Sequence, residues 1–110
     1  MSRERDAIQA ICARQEGAEL EHPFGPQAAV YKIAGKVFAI VGVDDRPARI
    51  TLKCDPEHGE ALRGEHDAIT PGYHMNKRHW ITVALDGSVP RKLVTELIED
   101  SFDLVAPRRR

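Results

Sequence analysis

The sequence predicts an α+β domain of two layers, with an approximately five-stranded antiparallel sheet, packing helices and the element order α-β-β-β-α-β-β-α. Three observations carry that expectation. Ala7, Ile8, Ile11 and Cys12 near one end, and Leu93, Val94, Leu97, Ile98 and Phe102 near the other, recur at helical spacing and form two apolar stripes. Between them the pattern changes to period two, most cleanly where Ile50, Leu52 and Cys54 alternate with Arg49, Thr51 and Lys53. The links between successive strands are short turns, which suit a meander and leave no room for a helical crossover.

The elements follow in order. A helix is expected from about Arg3 to Gln15, stopped by Gly17. His22 to Pro26 reads as an ordered loop, since its prolines restrict the backbone and Phe24 can anchor it. Strands follow near Ala28 to Ile33, Lys36 to Val43 and Ala48 to Cys54, turned by Ala34-Gly35 and by Asp44 to Pro47. A short helix begins at Asp55, whose carboxylate suits an N-cap, with Pro56 in its first turn and Gly64 as its end signal. After Thr70-Pro71-Gly72 a strand pair is expected at Tyr73 to Asn76 and His79 to Leu85. Asp86-Gly87 breaks the pattern, and Ser88 with Pro90 opens the last helix.

At 110 residues the chain is long enough for one domain, 1–110, that buries a core without help from a metal or disulfide. Cys12 and Cys54 fall on apolar positions and read as buried free thiols. No apolar run is long enough to span a bilayer and no targeting segment is visible, which makes a cytoplasmic protein the expectation and a membrane partner unexpected. Sixteen basic and seventeen acidic residues give a formal charge of −1, so attraction to a polyanion requires segregation of the basic groups. Residues 106–110, with Arg108, Arg109 and Arg110, are expected to form a flexible basic tail.

Segregation is visible along the chain. His22 to Val43 and Ala68 to Leu85 contain no acid. If one sheet face is open, Arg49 and Lys53 project from it, with Trp80 and Thr82 nearby, while Lys32 and Lys36 join only if register allows. Lys77 and Arg78 sit between two strand candidates, where they serve either as an anion-binding hairpin tip or as a solvated turn. Basic groups beside an indole suit phosphates and a stacked planar group, although Trp80 equally suits packing at a sheet edge. His74 and His79 are candidates for a protonation-sensitive anion contact. Their spacing matches no metal-ligand pattern, Ser88 and Ser101 lack a base and an orienting acid at motif spacing, and no phosphate-binding glycine loop is present. No catalytic residue, metal or cofactor is therefore expected.

The ordered segments PFGPQAAVYKIAGKVFAIVG, ARITLKCDPE, ITPGYHMNKRHWITVALDG and LIEDSFDLV closely resemble the MmcQ/YjbR family, over about residues 5 to 105. The resemblance implies a fold related to frataxin and the double-wing DNA-binding description of that family. Lys32, Gly35, Lys36, Lys53, Pro71, Gly72, Tyr73, His74, Met75, Lys77, His79 and Trp80 match the family pattern. Within it, Gly35, Pro71 and Gly72 are structural turns, and Lys32, Lys36, Lys53, Lys77 and Arg78 are candidates for phosphate attraction. Iron chemistry does not transfer, because the first helix lacks an extended acidic ridge. The expected function is a non-enzymatic protein that binds double-stranded DNA through a basic sheet face and wing-like loops. An interaction module for an acidic protein or a second copy is the alternative, with an enzyme behind both and the oligomeric state open. Four phosphate contacts would give a salt slope of about −3.6.

Overall fold

The computed structural model describes residues 3–44, 46–72, 76 and 78–107. It contains α1 (Arg3–Arg14), β1 (Glu19–Glu21), β2 (Ala28–Ile33), β3 (Lys36–Gly42), β4 (Arg49–Lys53), α2 (Pro56–Glu65), β5 (Ile69–Pro71), β6 (Trp80–Ala84) and α3 (Arg91–Val105). All strand pairs are antiparallel, in the sheet order β1-β2-β3-β4-β6-β5. The two-layer α+β class is as the periodicity predicts. The sheet has six strands rather than about five, because the exposed Glu19–Glu21 is too short to show an alternation and forms only by pairing with β2.

The β2–β3 hairpin closes where the sequence places its turn. Ala34 and Gly35 both have positive φ, 52° and 80°, the conformation a two-residue turn of this hand needs. Farther along, the register slips: Tyr31 pairs with Ala39 but Lys32 pairs with Val37, so Phe38 has no partner of its own. Such a bulge turns consecutive side chains to one side. Phe38 and Ala39 accordingly both belong to the core. The β3–β4 pairing runs only as far as Ala39 with Leu52. There Ser101 of α3 bridges the strands, donating its hydroxyl to the Phe38 carbonyl at 2.6 Å and accepting the Lys53 N–H at 2.9 Å.

All three helices pack on one face of the sheet. Ile8, Ile11 and Cys12 of α1, Leu62 of α2, and Val94, Leu97, Ile98 and Val105 of α3 join Phe38, Val41, Ile50, Leu52, Ile81 and Val83 in one buried cluster. Phe102 meets Phe38 edge-on, with ring centroids 5.3 Å apart. Both cysteines are buried free thiols. Burial pushes the Cys12 thiol up to about 12, and burial first, then Asp55 and Asp100, raises Cys54.

Several local expectations give way to tertiary packing. The described strand before β6 is Ile69–Pro71; of the expected Tyr73 to Asn76 strand, Tyr73, His74 and Met75 lie outside the described residues. A proline fits β5 because β5 is a sheet edge, where one missing N–H leaves no neighbour short. Asp55 holds the N-cap position of α2, but its side chain makes no capping bond. Gly64 lies inside α2, which ends at His66 through its N–H bond to the Leu62 carbonyl. Pro90, not Ser88, is the N-cap of α3, and the Ser88 hydroxyl instead donates to Asp86 Oδ1 at 2.6 Å. Phe24 does not anchor its loop, being 69% exposed.

Candidate nucleic-acid interface

The face opposite the helices is built by the β4–β6 register. Arg49 pairs with Ala84, Thr51 with Thr82 and Lys53 with Trp80, and residues directly opposite one another share a face. Ile50, Leu52, Ile81 and Val83 take the other side, in the core. A single strip on the open face therefore runs from exposed Arg49 through Thr51 and Thr82 to Lys53 and half-buried Trp80. The two threonine hydroxyls lie 3.0 Å apart and tie the strands together at its middle. Among the described residues, neither Arg49 nor Lys53 makes an ion pair.

Trp80 is held at its backbone. The Gly72 N–H donates to the Trp80 carbonyl at 2.8 Å. A Cβ at Gly72 would stand 2.5 Å from the Trp80 Cβ and 3.0 Å from its carbonyl carbon. Gly72 is thus a close-approach position rather than a turn glycine, and Pro71 lies in β5 opposite Ile81. Gly35 is the turn glycine its sequence context predicts.

The remaining candidates scatter. Lys32 shares the open face, opposite Val37, but its Nζ is paired with Glu21 Oε1 at 3.0 Å. Lys36 sits opposite Ile33 at the hairpin end, and Ile33 packs against the helix-side core, so alternation places Lys36 on the other face. Arg78 and His79 are exposed in the turn before β6, where the Asn76 side chain accepts the Arg78 N–H at 3.0 Å. The His79 carbonyl accepts the Cys54 N–H at 2.7 Å, which continues the ladder and directs His79 away from the Trp80 face. Lys77 and His74 lie outside the described residues.

The open face is less solvated than alternation alone predicts. Val30 is only 2% exposed although it stands outside the helix-side cluster, and the Lys32–Glu21 ion pair flanks it. Thr82 is also buried. A cleft of about 310 Å³ lies between α2 and α3, lined by Lys53, Cys54, Asp55, His58, Ile81, Leu97, Asp100, Asp103 and Leu104, so Lys53, the last residue of β4, borders this cleft as well as the open strip. Its three aspartates make it the wrong sign for phosphate. Among the described residues no group of three or more His, Cys, Asp and Glu could hold a metal ion. Among the described residues, no helix is long and apolar enough to cross a membrane.

This arrangement has relatives. The Escherichia coli protein YjbR is 39% identical over 92 residues, covering 83% of this chain and 77% of its own. The Escherichia coli protein YbdF is 41% identical over 87 residues, covering 79% and 71%. A crystal structure of a Deinococcus radiodurans protein with a DUF419 domain superposes with a TM-score of 0.86 at 39% identity, covering 91% of this chain and 76% of that one. One from Pseudomonas syringae does so with a TM-score of 0.77 at 34% identity, covering 94% and 98%. The family model YjbR matches residues 13–104, a span that holds all six strands and nearly all of α3, and the chain accordingly belongs to the YjbR family.

Proposed function

We propose that this protein is a cytoplasmic, non-enzymatic DNA-binding protein that works through its open sheet face, in keeping with the double-wing and frataxin-like descriptions its sequence resembles. The observation that carries the reading is the β4–β6 register, which sets Lys53 directly beside Trp80, with Arg49 at the far end of the same strip. Cationic side chains position phosphates and an indole stacks on planar bases, so the strip supplies both parts of a nucleic-acid contact. The exposed turn that carries Arg78 supplies a wing at the Trp80 end.

The test is fluorescence anisotropy of labelled DNA, duplex and single-stranded, at low salt. The expected result is binding that the Arg49→Gln/Lys53→Gln variant weakens on the order of tenfold and that Lys36→Gln leaves unchanged. Absence of binding to either form at low salt rejects the reading.

A second reading rests on a different surface. Leu20 of edge strand β1 is 50% exposed and Phe24 is 69% exposed, which suits a protein partner better than a polyanion. It predicts association that survives raised salt and is lost in Leu20→Ser.

A further inference from the structure

We infer that the DNA form this face takes is single-stranded, with a base stacked on Trp80 and the backbone running along Lys53 and Arg49. The inference rests on the DNA-binding reading and deepens it. Its basis is the position of the strip within the sheet. β4 and β6 are interior strands, flanked by β3 on one side and β5 on the other. A duplex groove admits a helix or a two-stranded ribbon, and the major groove is about 12 Å wide. Four adjacent strands span about 14 Å of backbone alone, at about 4.8 Å per spacing. The strip therefore has no way into a groove, and α1, α2 and α3 all pack on the opposite face, so no helix can carry it there.

An unpaired strand meets no such obstacle. Its bases turn outward, and a broad sheet offers them a surface on which to lie. Arg49 and Lys53 are separated by four residues of strand, about 13 Å, so the cations act on separate phosphates rather than one. Trp80 stands across from Lys53, where a base stacked on the indole keeps its own phosphate within reach of the ammonium. The β1–β2 end of the face is closed to the strand by Glu19 and Glu21, which lie opposite Lys32 and Val30. The path therefore follows β4 and β6, whose open-face side chains carry no acid.

Trp80 is the only tryptophan in the chain, so its fluorescence reports the contact directly. The experiment titrates the full chain with oligothymidylate, a mixed-sequence duplex of the same length and oligouridylate, reading both tryptophan emission and anisotropy of labelled strands. Expected are Trp80 quenching by oligothymidylate and an affinity for it at least tenfold above that for the duplex. Trp80→Ala is expected to lower single-strand affinity on the order of tenfold, while Trp80→Phe, which keeps an aromatic face and guards against a folding artefact, retains most of it. Equal or tighter duplex binding overturns the single-strand inference and leaves the DNA reading standing. Loss of both overturns both. Single-strand binding without quenching, or unaffected by Trp80→Ala, removes the strand from this face, and tighter binding of oligouridylate reassigns the ligand to RNA.

Discussion

Ser101 is fully buried on α3, and its hydroxyl serves two backbone groups that the sheet itself leaves over, the Phe38 carbonyl and the Lys53 N–H. Ser101→Ala is expected to lower stability by about 2–3 kcal/mol, since both groups would be left buried without partners. Urea unfolding that shows a change near zero would contradict this role. In the sequence Ser101 is simply a polar residue beside the stripe of Leu97, Ile98 and Phe102; its partners lie 63 and 48 positions away. Cys12 is legible in the sequence, because helical spacing alone places it on the apolar side of α1. Its thiol titrates at about 12 in the folded protein against 9.0 ordinarily. Above pH 9 the unfolded chain therefore holds fewer protons than the folded one, and stability falls as pH rises toward 12, by on the order of 1 kcal/mol per pH unit. Burial raises Tyr31 and Cys54 as well, in the same sense. Cys12→Ala should thus reduce, without abolishing, the alkaline loss of stability measured by urea unfolding across a pH series.

At the scale of elements, regular alternation and helical stripes locate α1, β2, β3 and β4 to within about two residues, because each carries enough periodic positions to declare itself. The two sheet edges were not legible in this way. β1 and β5 are three residues each, and their hydrogen bonds to β2 and β6 hold them in place more than any preference of their own. The same pairing explains Gly72. Its backbone bonds to Trp80 so closely that even a methyl group would collide with the Trp80 Cβ at 2.5 Å. Gly72→Ala is expected to destabilise by about 1–3 kcal/mol and to shift the Trp80 emission, since the clash falls on atoms that move only with the strand. Gly35→Ala provides the contrast. Nothing lies within 4 Å of its added Cβ, so the effect there comes from a φ of 80° and should leave Trp80 emission unaltered.

For the molecule as a whole, a net charge of −1 means that any polyanion is recognised by a local arrangement rather than by overall attraction. Arg49 and Lys53 are the cations on the open strip, while Lys32 is already engaged by Glu21. Two phosphate contacts contribute about −1.4 to the slope of log affinity against log salt for a single strand. Arg49→Gln/Lys53→Gln should flatten the measured slope by that amount, and a slope unchanged by the double substitution would place the contacts elsewhere. The sequence by itself determined the two-layer class, the helix-side core and the facing of Arg49, Thr51 and Lys53, because these follow from periods of 3.6 and 2 that any chain segment carries locally. Only the tertiary structure decided that Lys53 is paired opposite Trp80, that Lys36 turns to the other face, that Ser101 repairs the bulge and that Gly72 must lack a side chain. Each of these depends on register between segments distant in the chain, and register is set by how the whole sheet pairs and where it slips, which no local pattern records.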